Sequence, residues 1–328
     1  MTRFDTIVVV DWSGGNDTGP TPRKDAIWAA VIRAGQAEPS KYLRNRVEAE
    51  AWLADLFSDE INAGRRVFAG FDFPFGYPDG FAARLTGNED PLAVWDWYAA
   101  HLEDTPKANN RFALAGRINE SLYGTGPFWF NGTKVDQPGL PRRKHERAGD
   151  HRLAERRLCE RLAKGAFTCW QMGGAGAVGS QIMTGMAMLS RLRTRFAHQI
   201  SVWPFEPLRA PIALVEVWPS LHADAVRAAA QPGDIRDEVQ VRTLTARIAR
   251  MQDDGRLSGV LADVPADARR EEGWIFGLRT TDAACERMSN ALIPPRLRDD
   301  CFAMPQGVSW VPVDEALARL RAALAPLT

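Results

Sequence analysis

The sequence predicts an α/β fold with a large helical insertion, on three observations. Short apolar runs rich in β-branched residues recur, helix-spaced segments lie between them, and the stretch 81–199 breaks the alternation with long mixed helical segments and glycine loops. A chain of 328 residues can bury a sizeable core, as one large domain with an insertion or as two modest domains. The expected division is a core of 1–80 and 200–328 around an insertion at 81–199.

The first run, Thr6-Ile7-Val8-Val9-Val10, ends at Asp11 and meets Trp12-Ser13-Gly14-Gly15 at once. Such a run suits a strand buried on both faces, and the glycines free the backbone to turn. Residues 26–32 (AIWAAVI) form a second strand after a Gly/Asn/Asp/Pro-rich connection that suits a hairpin. Ala49, Trp52, Leu53, Leu56 and Ile61 fall close to helical spacing, which predicts a helix over 46–62 that Gly64 stops. Residues 66–72 (RVFAGFD) repeat the pattern of a strand ending in an acid, and Pro74 and Pro78 stiffen the turn beyond it. Within the insertion, 91–103 and 150–164 read as helices. Residues 213–220 (ALVEVWPS) supply a third acid-bearing strand. After it the pattern predicts a helix over 237–251, a short strand or loop at 272–278, and a helix over 280–292 with Asp282 in its first turn. A strand at 308–313 and an amphipathic helix at 314–324 come last.

Lys plus Arg equals Asp plus Glu at 41 each, so no global field favours nucleic acid or a membrane, and a polyanion site has to be a local patch. Cys159, Cys169, Cys285 and Cys301 show no Cys-x-x-Cys spacing, which excludes a zinc ribbon and argues for reduced packing residues. No basic-then-apolar leader opens the sequence and no run reaches the ~18 apolar residues of a membrane span, so the expectation is a cytoplasmic, soluble protein.

Ligands of open α/β sheets gather beyond the carboxyl ends of the strands, where acids distant in sequence converge. Asp11, Asp72, Glu216 and Asp282 are therefore the candidate ligands of one or two Mg²⁺ or Mn²⁺ ions, since hard cations take carboxylate oxygens. Each also has a simpler reading: Asp11, Asp72 and Glu216 as turn caps or partners of Arg, and Asp282 as an acid favoured by the helix dipole. Four motifs, DWSGG, GFDFPFGYP, VEVWPS and TDAA, resemble the ribonuclease H-like superfamily, whose fold is a mixed sheet flanked by helices. Within it they resemble the predicted-nuclease family known as domain of unknown function 429. CWQMGGAGAVGSQIMTGMAMLSRLR and VWPFE resemble segments of that family's longer members. The resemblance implies Asp11, Asp72 and Glu216 as metal-binding acids and Asp282 as the late-helix acid. Position 279 is Arg where a longer acidic pattern is common, which makes Asp263 and Glu272 the substitutes for the fourth ligand.

The expected activity is thus metal-dependent phosphodiester hydrolysis, of nuclease or phosphodiesterase type, on a nucleic acid or nucleotide. Asp11 would bridge two ions, Asp72 and Glu216 hold one each, and Asp282 complete the second. Ser13, Gly14 and Gly15 form a phosphate-facing lip, which an ATP-dependent phosphotransferase of the actin and sugar-kinase type would share. Against that alternative, the chain has no second glycine hairpin of Asp-Gly-Gly-Thr kind. A third reading is a non-catalytic binding module that keeps the fold and lacks one ligand. Residues 174–179 (GAGAVG) match G-x-G-x-x-G, but a poor strand precedes them and Arg191, Arg193 and Arg195 stand where a ribose-binding acid would, so NAD is not expected. Close packing of a helix explains these small residues, whose amides can also hold phosphate. Arg142, Arg143 and Lys144 lack intrahelical acid partners and are the candidate nucleic-acid contacts, with Arg191, Arg193 and Arg195 beside them. Trp129 and Phe130 are candidate stacking residues or plugs onto the core, and His222 is a packing residue or a proton carrier.

Overall fold

The computed structural model describes residues 3–15, 19, 21–122, 126–147 and 151–281. Asp282 and the elements expected at 308–313 and 314–324 lie outside the described residues. Seven strands make one mixed sheet: β1 (Thr6–Asp11), β2 (Ile27–Arg33), β3 (Gln36–Ala37), β4 (Lys41–Leu43), β5 (Val67–Phe71), β6 (Ile200–Trp203) and β7 (Ile212–Glu216). Their order is β3-β2-β1-β5-β7-β6, with β4 beside β2. β2 runs antiparallel to β1, whereas β5, β7 and β6 run parallel to it and to one another.

The helices among the described residues are α1 (Arg46–Asn62), α2 (Phe81–Thr86), α3 (Pro91–His101), α4 (Arg111–Leu122), α5 (Leu158–Leu162), α6 (Val178–Arg195), α7 (Ala223–Ala229), α8 (Arg236–Asp253) and α9 (Leu257–Ala262). α1 has the bounds its periodicity predicts. Asn45 caps it by accepting from the Glu48 amide at 3.0 Å, and the Glu48 carboxylate accepts in return from the Asn45 side chain at 2.9 Å.

The two faces of the sheet are read from strand periodicity. Val8, Val10, Val67, Ala69, Phe71, Ile212 and Leu214 join α1, α3 and α6 in one core, while Ile7, Val9, Phe68, Ala213 and Val215 join α8 and α9 in the other. Of the helices of 81–199, α2, α3, α4 and α6 share the first core with the strands, while α5 places Leu158 and Cys159 in the second, all within one compact unit, Met1–Ala283. Gly185 lets α6 reach the sheet: a Cβ there would stand 2.3 Å from the buried Phe73 ring.

One expectation needs correction and one is narrowed. The helix expected at 150–164 shrinks to α5, because the carbonyls of Ala154 and Glu155 accept instead from Trp170 Nε1 at 2.9 Å and Thr168 Oγ1 at 2.6 Å. The segment 272–278 takes the looped alternative, with its Trp274, Ile275 and Phe276 buried. No helix of the described residues is long and apolar enough to cross a membrane.

Candidate active site

Asp11 ends β1, and Asp72 comes directly after β5, its parallel neighbour, with the Asp72 amide donating to the Val10 carbonyl at 3.3 Å. Both acids fall in the register of Ile7, Val9 and Phe68, hence on the α8 face, and their carboxyl groups hydrogen-bond to one another. Two carboxylates cannot share a hydrogen bond without a proton. Burial first, then the charge of Asp72, holds the Asp11 carboxyl well above the ordinary range, so the pair keeps a proton between its two acids. Burial also pushes Asp72 up to about 6, opposed by the Asp11 hydrogen bond and by the Trp12 amide, which donates to Asp72 Oδ1 at 2.6 Å.

A third carboxylate comes from α8. Asp237, in its first turn, adds negative potential to both acids, and burial raises its own pKa. It accepts from the Asp25 amide at 2.7 Å, which ties the helix to the loop before β2. The sequence alone assigns Asp237 no role, since an acid in a first helical turn is what the dipole favours. Among the described residues, no three His, Cys, Asp or Glu side chains converge closely enough to hold a metal ion as they stand.

Glu216 does not join this group. It shares the register of Leu214 and Phe71 and so stands on the opposite face of the sheet. There Arg157 takes both of its oxygens, with Nη2 2.7 Å from Oε1 and Nη1 2.9 Å from Oε2, and the Phe75 amide donates to Oε2 at 2.8 Å. Arg157 also pairs with Glu160 at 2.8 Å and donates to the Glu272 carbonyl at 2.8 Å, and the side chains of Arg157, Glu160 and Glu216 are all buried. This is a pillar between the sheet and the 151–170 segment, in which Glu216 is engaged by Arg157 and the Phe75 amide. The substitutes do not approach the pair either. Asp263 accepts from Thr280, and Glu272 accepts from the Leu158 amide at 2.6 Å.

A cleft of about 910 Å³ opens over the carboxyl ends of these strands. Its lining includes Ser13, Gly14, Gly15, Asp72, Glu216 and the 173–178 loop. The glycine lip is fastened from below. Arg46 Nη1 donates to the carbonyls of Gly15 at 2.6 Å and Ser13 at 3.3 Å, while Asp104 grips the same guanidinium at 2.6 Å on two atoms. Ser13 Oγ accepts from the Gly15 amide at 3.1 Å, and Gly14 packs so tightly that a Cβ would lie 2.9 Å from Ser180 Cβ.

At the start of α6 the first-turn amides are turned onto the chain itself, Val178 donating to the Gly176 carbonyl at 2.7 Å. Gly179 donates to the Gln171 carbonyl at 2.9 Å and Ser180 to Ala177 at 3.2 Å, so these first-turn amides are already engaged. The basic cluster at 142–144 lies off the cleft. Arg142 pairs with Asp136 at 2.7 Å and Lys144 with Glu155 at 3.0 Å, partners too distant in sequence to be found by helical spacing. Arg191 and Arg193 pair with Glu50 and Glu206. His222 is held down to about 4 by burial and by Arg247. No protein-family model matches this chain, and neither a curated protein nor a solved structure matches it.

Proposed function

We propose that this protein is a Mg²⁺- or Mn²⁺-dependent phosphodiesterase, of nuclease type, whose acid centre is Asp11 and Asp72 with Asp237 beside them. The observation that carries the reading is the carboxyl pair itself: two hydrogen-bonded acids on adjacent parallel strands, both held above the ordinary carboxylate range, beside an open cleft. Folding brings these negative charges together with a proton between them, and a divalent cation relieves the same repulsion with hard oxygen donors it prefers. The donor set therefore fits the ion. Asp11 and Asp72 would hold it, with Asp237 supplying further negative charge. Bound there, it supplies charge stabilisation to a reacting phosphodiester and activation of an attacking water.

The chain's own contribution is positioning. The Trp12 amide fixes Asp72 in place, and the lip fastened by Arg46 bounds the cleft on one side. Glu216 leaves the proposed ligand set because Arg157 occupies it, and Asp282 lies outside the described residues. The mixed sheet flanked by helices is compatible with a ribonuclease H-like fold, and the DWSGG and GFDFPFGYP motifs supply the two acids of the pair. The test is hydrolysis of an activated phosphodiester with Mn²⁺ or Mg²⁺. Asp11→Asn and Asp72→Asn are each expected to lower the rate about 100-fold or more, the scale of removing a group that acts on charge developing in the transition state. Full activity in both variants overturns the assignment.

A further inference from the structure

Arg111 opens α4 and lines the same cleft as Asp72. Its guanidinium is partly buried, and among the described residues no carboxylate lies within ion-pair distance of it, the charge of Asp104 acting on it from farther away. Neutral groups hold it instead: Nε donates to Ser180 Oγ at 2.9 Å and Nη1 to Asn109 Oδ1 at 2.5 Å. Its Cζ sits 4.5 Å from the centre of the Phe112 ring, and Nη2 makes no hydrogen bond to the described residues. Burial, then the neighbouring charge of Arg46, lowers its pKa to about 10. The buried arginines of this region, Arg46 and Arg157, are gripped by acids on two or more atoms. An arginine held in a fixed pose by neutral acceptors, with a free edge at a cleft and no directly bonded carboxylate, can take an anion.

We propose that Arg111 is the anion-binding residue of the cleft and takes a phosphate group of the substrate, while Phe167 at the rim stacks on the attached base. Phe167 is 50% exposed, rare for a large apolar side chain among the described residues, and its ring is backed by Gly176, where a Cβ would come within 2.4 Å. A planar guanidinium suits phosphate oxygens, and an exposed ring suits a nucleobase of any identity. Together they select a nucleotide or a single-stranded end over a sugar phosphate. That the ligand is a phosphoester rests on the phosphodiesterase reading of the acid pair; the anion subsite itself does not.

The test is calorimetric titration of the full chain, free of divalent cations, with inorganic phosphate and separately with AMP. Arg111→Gln is expected to weaken both ligands about tenfold or more, and Arg111→Lys to weaken them less, because it keeps the charge and loses the fork. Phe167→Ala is expected to weaken AMP and leave phosphate unchanged. Mn²⁺ titration of the same variants is expected to match the wild type, which separates failure at Arg111 from failure of the acid pair. Absence of phosphate binding in the wild type, or equal binding in Arg111→Gln, overturns the subsite; equal AMP binding in Phe167→Ala overturns the stacking role.

Discussion

At the residue scale, the site rests on two carboxyl groups that the fold holds above the ordinary carboxylate range. Asp72 moves from an ordinary aspartate value near 4 to about 6, so the folded protein binds a proton that the unfolded chain releases. The sign is fixed by that difference: the pair stabilises the fold at low pH, and the contribution is lost as pH rises from about 4 through about 6. Asp72→Asn removes the conflict while keeping an acceptor for the Trp12 amide. Its melting temperature is therefore expected to exceed the wild type's by about 2 °C or more at pH 7, with the gain vanishing below about pH 4. Thermal melts across that range check this; a variant less stable than the wild type at pH 7 contradicts it. Mn²⁺ affinity of the wild type is expected to fall as pH drops through about 6 for the same reason.

The buried pillar of Arg157, Glu160 and Glu216 gives the opposite result under mutation. Removing the guanidinium leaves two carboxylates in a dry site, so Arg157→Met is expected to cost about 3–5 kcal/mol in denaturant unfolding. Adding Glu216→Gln to that variant is expected to recover part of the loss, because one stranded charge disappears. Additive losses in the double variant would show that the pair is not the source.

At the scale of elements, α6 decides where the acids stand. Its Gln181 side chain donates to the Trp12 carbonyl at 2.7 Å, and Thr184 accepts from Trp12 Nε1 at 3.1 Å, so the helix grips the chain between the two acids' strands. Gly185 admits Phe73, which lies between the rings of Trp12, Phe71 and Phe75 immediately after Asp72. Gly185→Ala is expected to destabilise the protein by about 1–3 kcal/mol through overpacking, and to lower activity by moving Phe73 and Asp72. Unfolding in denaturant and the phosphodiester assay read the two effects; an unchanged midpoint contradicts the overpacking.

Much of this level is legible in the sequence. The β-branched run of β1 and the Asn45 cap with the Gly64 stop carry local information, and β1 and α1 lie where it places them. The region 150–164 is not legible, because the groups that replace its helical hydrogen bonds, Trp170 and Thr168, are remote from it in sequence. Likewise β6 has only four residues, and its place beside β7 is set by pairing rather than by its own pattern.

At the scale of the whole molecule, the sheet sorts acids by parity. Acids at the ends of three strands suggest convergence, and strand order does bring β1, β5 and β7 together. Side-chain direction alternates, however, so Asp11 and Asp72 meet one another and the charge of Asp237 on α8, while Glu216 meets Arg157. One residue of register separates a member of the acid group from a structural ion pair, and register is a property of the assembled sheet. Asp237 and Arg111 are illegible in the sequence for a related reason: each is an ordinary charged residue in a first helical turn until packing shows what it faces. The assembled molecule thus presents a cleft with negative charge at the strand ends and, on its lining, a guanidinium bonded to neutral acceptors rather than to a carboxylate.

The most direct test of the central claim is the rate of phosphodiester cleavage by the full chain at about pH 7.5, with and without Mn²⁺, for the wild type and Asp72→Asn. The acid pair predicts cleavage that requires the cation and falls about 100-fold or more in the variant. Cleavage indifferent to both the cation and the substitution, or no cleavage alongside tight ATP binding, would contradict it.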